Sequence, residues 1–365
     1  MQDIQNIEMQ DFLKDMVEPL LSWYQANKRD LPWRKNTDPY RVWVSEIMLQ
    51  QTRVEAVRPY FENFIKKLPN VQCLAEVPEE ELLKLWEGLG YYSRVRNMKK
   101  AAQKICDCFS GVFPQSYEEI LSLPGIGQYT AGAIASIAFN QPNPAVDGNV
   151  LRVICRITED GRELSNPELK KSVTEQLRKI YPKEHAGDFT QALMELGAVI
   201  CVPNGSPKCA DCPVQFMCRA FYSGSQMNFP VAAKKKARKI QKKTILLLCC
   251  KDKVAIRKRD EGGLLEGLWE FPNLEGFYSE GELETILKEM RVEFGKAVFC
   301  GEKKHIFTHI EWHMQGFLAF CKNESSQFTW VTKEQLNEEF ALPAAFQKFK
   351  KYIAFADNDS VAQIQ

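Results

Sequence analysis

The chain has 365 residues, 45% hydrophobic and 26% charged, with a formal net charge of +1. This is the composition of an ordinary globular protein with room for two or three domains of about 100 to 200 residues. It excludes wholesale disorder, and near-neutrality removes any global electrostatic case for a nucleic-acid partner, so such binding must come from local geometry.

The opening residues, MQDIQNIEMQDF, carry no basic flank before an apolar run, and the longest apolar stretch, Ile245 to Cys250, is far too short to span a bilayer. A cytoplasmic protein with no membrane partner is expected. In that compartment clustered cysteines point to metal or redox chemistry rather than to disulfides. Apolar residues at helical spacing run through MQDFLKDMVEPLLSWYQ, SEIMLQQTRVEAVRPYFENFIKKL, EEELLKLWEGL, RVRNMKKAAQKICDCF and PELKKSVTEQLRKIY, which predicts an all-α N-terminal domain. Glu46 falls in VWVSEIML, an apolar setting whose desolvation would raise its pKa and keep it protonated. A lone helical glutamate is, by base rate, a surface residue. In LPGIGQYTAGAI, residues 123–134, a helix ends at Pro124, Gly125 and Gly127 allow a tight hairpin, and a second helix of small residues begins. The backbone N–H groups of such a turn can hold an anion without net charge, or the segment is a plain helical connection. AVDGN, residues 145–149, puts Asp147 in a more polar setting near a helix start, where the ionised form is favoured; the bland reading is a turn.

Four cysteines follow, Cys201, Cys209, Cys212 and Cys218, spaced C-x7-C-x2-C-x5-C. The tight pair lets two thiolates reach one metal centre while the outer two close the loop, and the spacing leaves iron–sulfur and zinc both open. The other cysteines, Cys73, Cys106, Cys108, Cys155, Cys249, Cys250, Cys300 and Cys321, show no such grouping and read as buried small apolar residues. The run KKKARKIQKK, residues 234–243, holds seven Lys or Arg and no acid, leaving the rest of the chain at −6. It reads as a basic tether over 227–243, or as a phosphate contact. Beyond it KKTILLLCC, KVAIRKR, AVFCGEKKHIFTHIEW and MQGFLAFC are strand-like, while EGELETILKEM and PAAFQKFKKYI are helical. The expected domains are 1–226, all-α; 227–243, tether; and 244–365, α+β.

LPGIG, AVDGN and the four-cysteine loop together resemble the endonuclease III branch of the helix-hairpin-helix DNA glycosylases. WVSEIMLQQTRVEAV (43–57) and WEGLGYYSRVRN (86–97) narrow the resemblance to the MutY adenine DNA glycosylases, over nearly all of residues 12–222. The resemblance implies a multidomain protein: an all-α helix-hairpin-helix glycosylase domain with an iron–sulfur cluster loop at 201–218, then an α+β Nudix-like domain. It implies a [4Fe-4S] cluster on Cys201, Cys209, Cys212 and Cys218. The implied partner is double-stranded DNA with adenine opposite 8-oxoguanine or guanine, and the implied product an abasic site, made by a monomer in the cytoplasm, nucleoid-associated in a bacterium. The family loop usually has six residues between its first two cysteines and this one has seven, which alters the shape of the loop more than its ligands.

Breaking the bond to adenine makes a poor leaving group and a sugar with oxocarbenium character, so an acid is needed on the base side and a carboxylate on the sugar side. By resemblance Glu46 protonates adenine N7 and handles the attacking water, Asp147 stabilises the cationic sugar, and Asn149 helps position these groups. Where lyase relatives carry a hairpin lysine, this chain has Tyr129, which cannot form an imine; a monofunctional glycosylase is implied. Trp33, Arg34 and Gln191 match positions lining the adenine pocket. Leu49, Gln51 and Tyr91 match intercalating positions, which fill the gap left by a flipped base, and Gly125 and Gly127 belong to the DNA-binding hairpin. GGLLEGLWEFPN, residues 262–273, resembles the opening of a Nudix fold, but GELETILKEMRVEFG replaces its metal-binding Arg-Glu-x-x-Glu-Glu ladder, so phosphohydrolase activity is not expected. The family recognises 8-oxoguanine there through a Phe-Ser-His loop, here Phe307, Thr308 and His309. The threonine keeps the hydroxyl and adds a methyl.

Overall fold

The computed structural model describes residues 12–232, 237–260 and 262–353; Lys234, Lys235 and Lys236 of the basic run lie outside them. Cα packing divides the chain into two compact units, Met1–Glu76 with Arg96–Lys234, and Val77–Val95 with Lys235–Gln365.

Among the described residues the five runs read from apolar periodicity are helical, SEIMLQQTRVEAVRPYFENFIKKL as two helices broken at residues 50–53, and other helices join them. In chain order they are α1 Val17–Asn27, α2 Pro39–Leu49, α3 Val54–Lys67, α4 Val71–Glu76, α5 Glu79–Leu85, α6 Ser93–Phe109, α7 Tyr117–Leu121, α8 Gln128–Phe139, α9 Gly148–Thr158, α10 Pro167–Ile180 and α11 Ala186–Val199. Polar residues start several of them. Asp38 accepts from the Arg41 N–H before α2, with Pro39 at the first helical position, and Asn166 does the same for α10. The first unit's core joins α1, α9, α10 and α11 through Leu20, Tyr24, Val150, Ile154, Leu177, Phe189 and Leu196. Helix α2 is central: Tyr40 and every residue from Val42 to Met48 are buried. It packs on α3 and α8, which is why an acid in its middle is taken out of water. Between α7 and α8 the chain turns at Gly125, whose φ of +76° is left-handed and whose Cα lies so close to Asn97 that an added Cβ would come within 2.6 Å of that residue's Cβ.

The second unit is a mixed sheet in the order β3-β2-β1-β6-β5, with β4 on β1 and β7 on β2. Its strands are β1 Lys239–Cys250, β2 Lys253–Lys258, β3 Trp269–Glu270, β4 Asn273–Glu275, β5 Phe294–Ile306, β6 Ile310–Cys321 and β7 Thr329–Thr332. Strands β1 and β6 run parallel, β5 and β6 antiparallel. Alternation sends Ile245, Leu247 and Cys249 to one hydrophobic cluster and Leu246, Leu248 and Cys250 to the other, so β1 is buried on both faces. Helix α12, Glu280–Glu289, lies on β5.

Three expectations need correction. Residues Lys239–Lys243, read as the end of the tether, are the start of β1, and Lys243 is buried. Residues 77–95, read as part of the helical domain, pack with the second unit: Lys84 Nζ donates to the Phe340 carbonyl at 2.9 Å, and Glu87 accepts from the Leu342 N–H at 2.8 Å. Of the cysteines read as buried, Cys155, Cys249, Cys250 and Cys321 are so, Cys73, Cys106 and Cys300 are half-buried, and Cys108 is exposed. Cys108 falls beside the exposed Asp107 in the last turn of α6. No helix among the described residues is long and apolar enough to cross a membrane.

Candidate active site

A cavity of about 580 Å3 opens in the first unit, lined by α2, the N-terminus of α8, the start of α9 and one face of α11. Its size lies within the range of about 300–1,000 Å3 typical of ligand pockets. It gathers nine of the residues singled out in the sequence: Trp33, Arg34, Glu46, Leu49, Gln51, Tyr129, Asp147, Asn149 and Gln191.

Glu46 is 6% exposed. Burial, aided by the Asp147 charge, pushes its carboxyl up to about 7, against the opposing pull of the Tyr129 hydrogen bond and the Arg34 charge. The Tyr129 hydroxyl donates to Glu46 Oε2 at 2.5 Å. Burial and the neighbouring Glu46 raise the Tyr129 phenol well above its ordinary range, so it is a donor. Asp147 caps α9. Its Oδ1 accepts from the Val150 N–H and its Oδ2 from Asn149 Nδ2, both at 2.8 Å, the two-oxygen acceptance expected of a carboxylate at a helix N-terminus. The cavity therefore holds a carboxyl that burial pushes up to about 7 and, across from it, a carboxyl group that accepts a hydrogen bond at each oxygen.

The pocket wall contains a group that sequence reasoning missed. Glu195, 1% exposed, accepts from Arg29 Nε at 2.6 Å and Nη2 at 2.9 Å and from Arg34 Nη2 at 2.8 Å. Burial alone would push this carboxyl upward, but the two guanidiniums outweigh it and hold it below the usual range. Its sequence signal is faint: Glu195 stands one helical turn after Gln191 in TQALMELG, on the same face. Trp33 is buried edge-to-face against Phe61.

Behind Asp147 a second missed residue, Arg152, joins the site to the cysteine loop. Asn149 Oδ1 accepts from Arg152 Nη2 at 2.8 Å, and the same buried guanidinium donates to the carbonyls of Gly197 and Cys201, each at 2.7 Å. Cys201, Cys209, Cys212 and Cys218 line one small cavity with Arg156 and Gln226. Arg156 Nη1 donates to Cys201 Sγ at 3.2 Å, placing a positive charge against the sulfurs. No three His, Cys, Asp or Glu side chains among the described residues converge as the ligands of a single metal ion.

Gly125 and Gly127 form the turn before α8 as expected, with Gly127 at its N-cap. Tyr91, Phe307, Thr308 and His309 lie outside the pocket, in the second unit. Tyr91, φ +48°, shares a 3.2 Å hydrogen bond with the Thr308 hydroxyl. Phe307 is half-buried, edge-to-face on Trp312 at 4.9 Å, while Thr308 and His309 are exposed on the turn between β5 and β6. Where a Nudix ladder would stand, Glu282 is occupied in a capping box with Ser279 at the start of α12.

Residues 44–183 match a family described as HhH-GPD superfamily base excision DNA repair protein, and residues 244–352 match the NUDIX domain. The adenine DNA glycosylase of Buchnera aphidicola subsp. Baizongia pistaciae is 36% identical over 297 residues, covering 80% of this chain and 82% of the relative. That of Homo sapiens is 33% identical over 399 residues, covering 91% and 73%. Among solved structures a thermostable thymine-DNA glycosylase aligns with a TM-score of 0.53 at 28% identity, over 58% of this chain and 98% of its own.

Proposed function

We propose, because the chain belongs to the adenine DNA glycosylase family and so is a hydrolase of N-glycosyl bonds in base excision repair, that Glu46 is its general acid and Asp147 its sugar-side carboxylate. The observation that carries this is the pairing of unlike carboxyl groups across one cavity: Glu46 pushed up to about 7 by burial, and Asp147 accepting hydrogen bonds at both oxygens. A buried carboxyl with a raised pKa facing a second carboxyl held by hydrogen bonds is an arrangement suited to an acid and its partner.

On this reading Glu46 gives its proton to adenine N7, and the base becomes a leaving group able to take the bonding electrons. The sugar then carries oxocarbenium character beside the Asp147 carboxylate, which stabilises it electrostatically or as a covalent adduct. Glu46, now ionised and held by the Tyr129 hydroxyl, takes a proton from the water that adds to the sugar. Arg34, Gln191 and Trp33 form the wall that receives the adenine, and Leu49, Gln51 and Tyr91 fill the stack it leaves. The substrate is duplex DNA with adenine opposite 8-oxoguanine or guanine, its backbone held at the Gly125–Gly127 hairpin by N–H groups at the start of α8. The exposed Thr308 and His309, with Phe307, read the 8-oxoguanine. Tyr129 offers no amine for imine formation, so the reaction stops at an abasic site.

Cys201, Cys209, Cys212 and Cys218 suit a [4Fe-4S] cluster: four sulfurs share one cavity and a guanidinium stands ready to offset negative charge. Such a cluster, when bound, supplies a cross-link that fixes the loop rather than bond-making chemistry.

The test uses labelled duplexes with one adenine opposite 8-oxoguanine, guanine or thymine, incubated with wild type, Glu46→Gln and Asp147→Asn, and read with and without hot alkali. Strand breaks appearing only after alkali, on the first two duplexes and lost in both variants, are expected. Breaks without alkali would overturn the monofunctional assignment, and full activity in either variant would overturn that residue's role.

A further inference from the structure

The segment Pro144–Asp147 is extended chain between α8 and α9, yet it must hold a carboxylate in place to within a fraction of an ångström. Two glycines let the elements around it close tightly. A Cβ at Gly132 of α8 would come within 2.4 Å of the Pro144 carbonyl oxygen, and one at Gly187 of α11 within 2.9 Å of the Ser136 carbonyl oxygen. A polar chain runs along this seam. Ser136 Oγ donates to the Gly132 carbonyl at 2.7 Å, Thr190 Oγ1 donates to Ser136 Oγ at 2.7 Å, and the Tyr181 hydroxyl lies 2.6 Å from Thr190 Oγ1. Because the Thr190 proton is committed to Ser136, Tyr181 must be the donor to Thr190. The direction runs from the Tyr181 hydroxyl through Thr190 and Ser136 to the Gly132 carbonyl. Ser136, Thr190 and Tyr181 are all buried, at 0%, 1% and 6% exposure, so none of the three can exchange its partner for bulk water.

We propose that Tyr181, Thr190 and Ser136 are positioning residues that tie α11 to α8 at Gly132, on which Pro144 is closed, and thereby fix Asp147, three residues on, against the substrate sugar. None of the three touches the reacting atoms. The inference rests on the role proposed above for Asp147. It also makes a claim that a packing role would not: the relay sets the separation between Asp147 and Glu46. The charged and titratable groups that face Glu46 are Tyr129 from α8, Asp147 from this segment and Arg34 from the turn at 32–34, and of these Asp147 is the one carried by the segment that closes on Gly132. If the segment slackens, its negative charge retreats, Glu46 loses its proton more readily, and the alkaline limb of the pH–rate profile moves to lower pH.

The experiment measures single-turnover adenine release from a duplex with adenine opposite 8-oxoguanine, from pH 5 to 9, together with duplex binding and thermal unfolding. It uses the full chain as wild type, Thr190→Val, Thr190→Ser and Asp147→Asn. Thr190→Val keeps the shape and removes the central hydroxyl. Its rate is expected to fall roughly 10- to 100-fold, the scale of a misplacement approaching 1 Å, with the alkaline limb lowered and duplex binding little changed. Thr190→Ser restores both rate and limb. A Thr190→Val rate within twofold of wild type, or a loss that follows the melting temperature with the limb unmoved and no recovery in Thr190→Ser, overturns the proposal. Asp147→Asn separates the two failures: if it is inactive while Thr190→Val is normal, only the relay is wrong, and if it is fully active, the role of Asp147 falls as well.

Discussion

Tyr129→Phe removes one oxygen from the active site and leaves the ring, its packing and the helix untouched. The hydroxyl it deletes donates to Glu46 at 2.5 Å and is the strongest influence holding down a carboxyl that burial pushes up to about 7. A hydrogen bond to a charged group contributes about 1.5–3 kcal/mol, and at about 1.36 kcal/mol per unit the loss raises the Glu46 pKa by roughly one to two units. The sign follows from which form is favoured: the hydroxyl stabilises ionised Glu46, so without it the acid keeps its proton to higher pH. Single-turnover adenine release should therefore hold its plateau to a pH roughly one unit or more above the wild-type limb, even if the plateau itself is lower because Glu46 is less well oriented. Relative to each enzyme's own maximum, the variant is then the more active at pH 8. A limb that stays near 7 or moves down would refute the reasoning, since it would mean that Glu46 is not the titrating acid or that Tyr129 does not restrain it.

Glu195→Gln replaces the shared counter-ion of Arg29 and Arg34 with a neutral amide. Removing one member of a buried ion pair should cost about 3–5 kcal/mol, read as a drop in the denaturant midpoint; an unchanged midpoint would show that the pair is not buried in solution. Arg152→Met strips the donor from Asn149 Oδ1 and from the Gly197 and Cys201 carbonyls, and should slow adenine release by roughly tenfold or more, with rates near wild type counting against a link to Asp147. Iron and sulfide are expected in equal amounts in the purified protein, with both reduced in Cys212→Ser, whereas stoichiometric zinc would replace the cluster assignment.

The helices of the first unit and the alternating strands of the second were legible because apolar periodicity is local. Glu46, although VWVSEIML is largely apolar, reads by base rate as a surface residue, and Asp147 as a turn, until the family resemblance singles out both. What escaped notice depends on contacts distant in sequence. Glu195 is one acid in an apolar helix until the fold brings Arg29 and Arg34 to it from more than 160 residues away, and nothing in GRELS or YPKEH announces that Tyr181 will meet Thr190 and Ser136. Residues 77–95 have the helical periodicity of their neighbours, and periodicity does not say which core a helix will join. The run KKKARKIQKK looked like tether because charge dominates it, yet β1 begins at Lys239, where β6 supplies the parallel partner that makes a strand of it.

The ion inventory of the cavity around Glu46 bears on what can enter it. Arg29, Arg34 and Lys170 bring three positive charges, Glu195 and Asp147 two negative ones, and Glu46 adds none while it holds its proton. Had the arginines stood without Glu195, the chamber would have drawn in the nearest phosphate, and a nucleotide would have lodged there by its backbone instead of its base. On the proposed reading Glu195 offsets much of the arginine charge at depth and leaves hydrogen-bond pattern and aromatic contact to choose the guest, an uncharged purine. Once Glu46 has given up its proton the balance moves one unit toward the negative, which favours the cation that the departing base leaves behind.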